Sequence, residues 1–476
     1  MGGTAELVPS RSCNMRLRVF CFFRVSEITR KGVRVVQLLT GVKKETRLEL
    51  EDIMGETLLQ GTVQVSGMVH AKRSMGEGLT FLKLRKRGGI LQCTCGEGVD
   101  VSDVQEEAAV LVTGVLRREP RAPGGVELAV ERVEVLSRPA APMPVPLAKV
   151  KLNMNLDTEL ALRPVVLRHL REQSVFRIQG ALGRAFREYL QDQDFTEVHT
   201  PKIVHAGAEG GSNIFRLDYF GKKAFLAQSP QFYKQTMVGV FERVFEVAPV
   251  FRAEKHSTAR HLNEYTSLDF EMGFIDSFED VMVMETGFLQ YAMSLLAREY
   301  AGDIKRLNLD LPDVSKIPAV RFDEAKRLAS EKYGYQIRDP YDLEPEEEQA
   351  IGRYAKEEWG SDFVFVTHYP SKKRPFYAMD DPADPKYTLS FDLLFRGMEV
   401  TTGGQRIHDY AQQVRKMEDR GMDPAEFESY LMIHKHGMPP HGGLGLGLER
   451  LTMKLCGLDN VRYACLFPRD LSRLEP

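Results

Sequence analysis

Cysteine, tryptophan and long apolar runs are all scarce in this chain. Six cysteines occur in 476 residues, at positions 13, 21, 93, 95, 456 and 465, and no two form a CxxC pair. That sparseness excludes a disulfide-built domain and a paired-CxxC zinc site. Cys93 and Cys95 form a CxC that puts both side chains on one face of a strand-like run. Free thiols in a reducing compartment are expected there, not a metal site. No apolar run approaches the roughly 20 residues that cross a bilayer, and VFCFF at 19–23 is too short for the apolar core of a secretory signal. A cytosolic chain without a membrane segment is expected. A formal net charge of −3 leaves no global basic surface, so any nucleic-acid contact must come from a local patch. The single tryptophan, Trp359, is given only a packing role.

What is present begins with length enough for two or three domains and ordinary globular proportions, 43% hydrophobic and 28% charged. Residues 1–50 read as strands or a short helix of unknown role. From about Leu58, within a unit set at 51–136, TVQVSGMVH, TFLKLRKR, GILQCTC, AAVLVTGVLRRE and VELAVERVEVLS alternate as short strands with glycine turns. That pattern suits a small antiparallel barrel of the OB type. Lys72, Arg73, Lys83, Arg85, Lys86 and Arg87 crowd its second and third segments, interleaved with Phe81 and followed by Gln92. Charge for phosphate, a ring for stacking and an amide for a base edge suit single-stranded nucleic acid. A barrel edge guarded by lysine and arginine is the alternative. Proline-rich SRPAAPMPVPLAKV opens a hinge over 137–165.

The unit expected over 166–476 reads as α+β with a mostly antiparallel sheet. Apolar residues at helical spacing through SVFRIQGALGRAFREYLQ predict a long amphipathic helix. FTEVHTPKIV follows as a strand that Pro201 confines to an edge, a plausible subunit interface. VFEVAPVFRAE and EYTSLDFEMGF predict an antiparallel hairpin around a polar loop. Arg252 and Glu254 are expected on one strand face, Asp269 and Glu271 on one face of the return strand, and Arg260, His261 and Glu264 around the loop. With Tyr265, these groups suit a ligand carrying phosphates, a purine and a carboxylate. Solvated surface ion pairs are the alternative. Near the end, HGGLGLGLERL brings a glycine-rich approach to a helix starting near Leu448. Arg450 falls in its first turn, where a cation opposes the helix dipole.

In this order the pieces resemble the class II aminoacyl-tRNA synthetases, and within them the aspartyl-tRNA synthetases of the archaeal and eukaryotic-cytosolic type, over about residues 58–476. The helix with FTEVHTP resembles the first class motif, FRAE…RHLNEYTSLDFEM the second and GLGLGLERL the third. The resemblance implies ATP and Mg²⁺, L-aspartate and tRNA as ligands, and a homodimer through the first motif. It implies that Arg252 bridges the substrate α-carboxylate and the α-phosphate, and that Glu254 and Tyr265 hold the adenine. Arg450 would cover the other face of the ring, His261 and Arg260 would meet the outer phosphates, and Glu399 and Thr402 would hold the metal. Arg406 and Lys234 would take the β-carboxylate, oriented by Asp269, while Glu209, Ser229 and Gln231 would take the α-amino group. Arg73, Phe81 and Gln92 match the family's anticodon-reading positions. Met68 stands where many relatives have Trp, and LRKRGG lacks a common acidic residue, so charging of tRNA(Asn) beside tRNA(Asp) stays open. An asparaginyl enzyme, a synthetase-like paralogue and a non-catalytic tRNA-binding protein are the competing expectations.

Overall fold

The computed structural model describes residues 50–53, 61–76, 78–205, 207 and 213–475. The expectations for residues 1–49 and for Glu209 lie outside the described residues.

Five strands, β1 (Thr62–Ser74), β2 (Thr80–Lys86), β3 (Gly89–Cys95), β4 (Ala109–Arg118) and β5 (Val126–Ser137), close into a barrel in the order β1-β2-β3-β5-β4. Strict alternation along GILQCTC turns Leu91, Cys93 and Cys95 inward and Ile90, Gln92 and Thr94 outward. Both thiols are free, and burial pushes Cys95 up to about 11. Leu50 and Ile53, on a one-turn helix, complete the barrel core. Between Ser137 and Leu156 the chain has no helix or strand, yet Val145 and Leu147 are buried together with Val166. The proline-rich segment is therefore anchored. Arg168 reaches back to Glu107 of the barrel at 3.2 Å.

The rest is built on the long helix α1 (Leu170–Asp192), followed by the edge strand β6 (Thr196–Glu197). A small sheet of β7 (Ile203–Val204), β8 (Arg216–Tyr219) and β9 (Lys222–Leu226) precedes α2 (Gln231–Phe241). Then come β10 (Arg243–Phe251), β11 (Glu264–Gly273), α3 (Glu279–Glu299), β12 (Ala319–Arg321), α4 (Pro345–Trp359) and β13 (Phe363–Thr367). The last are β14 (Ser390–Phe395), β15 (Glu399–Arg406), β16 (His441–Gly447) and α5 (Leu448–Leu455). Eight strands form one sheet in the order β12-β13-β14-β15-β16-β11-β10-β6. Only the outermost pairs, β12–β13 and β10–β6, are parallel.

The apolar stripe of α1 (Val175, Ile178, Leu182, Phe186 and Leu190) packs with α3 on one face of that sheet. Phe186 meets Phe288 edge to face at 5.1 Å. Burying each such side chain contributes about 1.5–3 kcal/mol. The period of two in β11 sends Leu268, Phe270 and Met272 into this core. Ser267, Asp269 and Glu271 consequently face the other way. No helix among the described residues is long and apolar enough to cross a membrane.

Candidate active site

On the face of the sheet opposite α1 and α3 lies a cavity of about 380 Å³. Lys234 and Gln231 reach it from α2, Asp269 from β11, Glu399, Thr402 and Arg406 from β15, and Arg450 from α5. Ser229, Arg252, Glu254, Arg260, His261 and Tyr265 complete the set. Every site residue proposed from the sequence for this pocket, Glu209 apart, thus lines one cavity. Two local expectations need correction. β10 ends at Phe251, so Arg252 and Glu254 leave from the loop and not from a strand face. Asn263 fixes that loop instead, donating from Nδ2 to the carbonyls of Arg252 (2.7 Å) and Glu254 (3.1 Å). The glycine run is itself a central strand, β16, running directly into α5.

Those glycines make room. A Cβ at Gly443 would lie 2.2 Å from Glu271 Oε2, and one at Gly445 would lie 3.1 Å from Asp269 Oδ1. Side chains there would fill the space that the acidic residues of β11 and their partners occupy.

At the amino-acid end, Lys234 Nζ donates to Asp269 Oδ1 (2.9 Å) and to the Leu444 carbonyl (2.7 Å), and it lies 3.4 Å from Glu271. Arg406 Nε donates to Glu271 Oε1 (2.8 Å) and its Nη2 to the Gly443 carbonyl (2.8 Å). Glu271 is therefore the carboxylate common to both cations, a role the sequence reading gave to Asp269. Burial opposes the charge on Glu271, but Arg406 and Lys234 outweigh it and hold the carboxyl below its usual range. Two cations and two carboxylates make this cluster formally neutral. Asp269 Oδ2 and Gln231 Nε2 are buried with no hydrogen-bond partner among the described residues. Polar atoms in that state are atoms a ligand can satisfy.

The other end is richer in arginine. Arg260 Nη2 donates to both oxygens of Glu348, at 2.9 and 2.8 Å. Arg450 Nη1 donates to the Glu399 carbonyl (3.2 Å) and lies 3.6 Å from its carboxylate. Thr402 Oγ1 donates to Glu399 Oε1 at 3.1 Å. Against the cost of burial, Arg450, Arg260 and Arg374 keep Glu399 ionised below the usual range. His261 moves down to about 4, through burial and the repulsion of Arg450 and Arg260. Burial pushes Glu449 up to about 7 while its oxygens accept from the Thr266 backbone N–H.

Several groups of this site, Glu449 among them, were not assigned from the sequence. Lys373, Arg374 and Tyr377 line the cavity, and Glu348 backs it. Arg374 is locked against Asp392 (2.7 Å) and lies 3.9 Å over the Tyr369 ring. SKKRPFY carries no spacing that announces these contacts.

On the barrel, the register pairs Arg73 with Phe81, Phe81 with Thr94 and Lys83 with Gln92, so all five share the outward face. Gln92 Nε2 donates to the buried Glu127 at 2.9 Å, which fixes the amide with its carbonyl oxygen as the remaining acceptor. Arg85 has the outward parity of Phe81 and Lys83 and registers with Ile90, but its side chain is buried against Glu107, which Arg168 also meets. Lys72 is also engaged, donating to the Val104 carbonyl at 3.1 Å.

Comparison with known proteins agrees with this geometry. The family profile described as tRNA synthetases class II (D, K and N) matches residues 155–471, and that of the OB-fold nucleic acid binding domain matches 63–136. An aspartate–tRNA(Asp/Asn) ligase of Thermus thermophilus is 49% identical over 415 residues, 87% of this chain and 96% of that protein. An aspartate–tRNA(Asp) ligase of Pyrococcus abyssi is 39% identical over 424 residues, again covering 87% of this chain and 96% of the relative. Among solved structures, the asparaginyl-tRNA synthetase of Pyrococcus horikoshii complexed with asparaginyl-adenylate superposes with a TM-score of 0.82 at 31% identity, covering 90% of this chain and 99% of that one. With a barrel that presents cations and an aromatic ring, and a sheet whose open face gathers arginines around one cavity, the chain belongs to the class II tRNA synthetases of the D, K and N group and is an aminoacyl-tRNA ligase.

Proposed function

We propose that this ligase activates L-aspartate with ATP and passes the aspartyl group to tRNA(Asp) and also to tRNA(Asn). The observation that carries it is the convergence of Lys234, Arg406 and Arg252 on one cavity. Lys234 and Arg406 bind the β-carboxylate, and Arg406 brings a planar fork suited to it. Ser229, Gln231 and the free oxygen of Asp269 take the α-amino group, with Glu209 expected to join them. An asparagine side chain would turn an NH₂ toward two donors that cannot accept from it, which costs binding.

The substrate α-carboxylate oxygen attacks the α-phosphorus of ATP. The bond from that phosphorus to the bridging oxygen breaks, and pyrophosphate leaves with the electron pair. Arg252 spans the attacking carboxylate and the α-phosphate, so its charge meets the charge that builds at phosphorus. Tyr265 and Arg450 sandwich the adenine, with Glu254 at its edge. Arg260 and His261 face the outer phosphates. A terminal ribose hydroxyl of tRNA then attacks the acyl carbon, and AMP leaves. Holding and charge compensation supply most of the acceleration.

Glu399 and Thr402 offer hard oxygen donors 3.1 Å apart, which fit Mg²⁺. No group of three His, Cys, Asp or Glu side chains able to hold a metal occurs among the described residues. Held by Glu399 and Thr402, Mg²⁺ would supply charge neutralisation of the phosphates.

Phe81 stacks on an anticodon base, with Arg73 on phosphate and Gln92 at a base edge. The names of the Asp/Asn-type relatives at 40–49% identity support charging of both tRNAs. The half-buried Met68, in place of a larger ring, supports a less exacting pocket. The homodimer forms through α1 and the segment after it, where Ile203 is 48% exposed beyond Pro201. Its place of work is the cytoplasm, where translation consumes charged tRNA. The structural likeness to an asparaginyl enzyme favours one competing reading, asparagine as the substrate. Charging of tRNA(Asp) and tRNA(Asn) transcripts side by side tests the proposal. Both should accept aspartate, and acceptance by tRNA(Asp) alone would remove the dual specificity.

A further inference from the structure

We infer that Glu348, on α4 and behind the cavity wall, is a positioning residue for the nucleotide end. It sets Arg260 and the head of β15 in one fixed geometry. The inference rests on the reading of that end as the phosphate site.

The carboxylate of Glu348 joins three segments distant in sequence. Both oxygens accept from Arg260 Nη2, at 2.9 and 2.8 Å. Oε2 also accepts from the backbone N–H of Glu399, at 2.9 Å. One buried side chain, 5% exposed, therefore ties the loop between β10 and β11 to the first residue of β15. Each tethered residue lines the cavity, whereas Glu348 does not. The bond from Glu399 uses its backbone, so its carboxylate stays with Thr402 and Arg450. Arg260 is gripped through one terminal nitrogen only, and its buried Nε has no hydrogen-bond partner among the described residues.

The mounting of Glu348 is rigid. One turn further along α4, a Cβ at Gly352 would lie 2.4 Å from the Gly397 nitrogen. Gly397 has φ +73° in the turn between β14 and β15, and a Cβ there would lie 2.9 Å from the Gln349 Cα. Two glycines thus bring helix backbone against turn backbone, two residues before Glu399. Contacts of this kind leave α4 little freedom to slide relative to β15. A charge-assisted bond made from such a base orders the long Arg260 side chain before the phosphates arrive, which removes part of the entropy cost of binding.

The test compares Glu348→Gln, Arg260→Met and the double variant in ATP–pyrophosphate exchange, with ATP binding measured separately by calorimetry. The glutamine keeps the volume but cannot accept from Arg260 and from the Glu399 N–H as the carboxylate does. Expected for Glu348→Gln is a rise of about tenfold in the KM and Kd for ATP with the KM for aspartate unchanged, since a tenfold change corresponds to about 1.4 kcal/mol. The double variant should lose less for ATP than the two single losses combined, because part of the effect of Glu348 runs through that arginine. Additive losses, equal rises in both KM values, or an ATP KM within twofold of the parent would overturn the inference. If Arg260→Met itself leaves the ATP KM unchanged, the phosphate-site reading fails first, and the inference with it. Should Glu348→Gln not fold, as judged by its melting transition, Glu348→Asp shortens the tether by one methylene and should still raise the ATP KM alone, by threefold or more.

Discussion

Lys234 and Arg406 at the amino-acid end are 2% and 6% exposed, and both are tied to Glu271, which is fully buried. Across the same cavity, the Arg450 and Glu399 side chains keep 22% and 34% of their surface, 3.6 Å apart. Together with Asp269 the first cluster is closed on itself and formally neutral. The second leaves positive groups beside a carboxylate and a hydroxyl suited to a metal. A small carboxylic acid must be told from its amide, which rewards cations fixed in place. A triphosphate brings high charge and its own counter-ion, so its end can be looser and partly wet. Rigidity and pairing thus follow the discrimination each end must make.

Removing the shared carboxylate should break that contrast most severely. Glu271→Gln removes the buried carboxylate that both Arg406 and Lys234 meet. About 3–5 kcal/mol of stability should disappear in urea unfolding, together with aspartate binding. A variant of parental stability would mean that Glu271 does not organise the closed end. Arg252→Ala should act on the reaction instead. Adenylate formation should fall about 10²–10³-fold with the urea midpoint unchanged, and a similar fall in the midpoint would count against a purely electrostatic role.

A smaller effect lies beneath the nucleotide end. Thr401 Oγ1 donates to Glu285 Oε1 at 2.6 Å, and burial pushes this carboxyl up to about 8. The folded chain therefore keeps a proton that the unfolded chain, with a carboxyl near 4.5, has released. Stability from this group is full below about pH 4.5 and is lost as pH rises toward 8. Glu285→Gln keeps the acceptor for Thr401 and removes the titration. Its unfolding free energy should decline less steeply between pH 5 and 8, by up to about 1.4 kcal/mol per pH unit. An unchanged slope would show that Glu285 is ionised in the fold.

How much of this could be read from the chain depended on where each partner sits. The barrel and the β10–β11 hairpin followed from alternation, since each strand carries its own period of two. The cavity residues Lys234, Arg252, Arg406 and Arg450 were legible as chemical types in ordered motifs. Their partners were harder. Glu271 was visible as a neighbour of Asp269 on one strand face, yet its bond to Arg406 spans 135 residues. Glu348 lies in an acidic first turn, PEEEQ, where a glutamate ordinarily serves the helix dipole, so nothing marked it as the partner of Arg260. Arg85 differs in the other direction. Its alternation parity puts it with Phe81 and Lys83, yet it is buried against Glu107, 22 residues along the chain, a partner that no strand period announces. The glycine run of β16 reads as a loop by composition and becomes a strand because its neighbours, β11 and β15, need a partner without side chains.

Exchange of radiolabelled pyrophosphate into ATP, run with aspartate and with asparagine on the same preparation, tests the closed, cation-lined end most directly. Aspartate should drive exchange, and asparagine should be poorer in kcat/KM by about 10⁴-fold. Exchange driven equally by asparagine, or none with aspartate, would contradict the account.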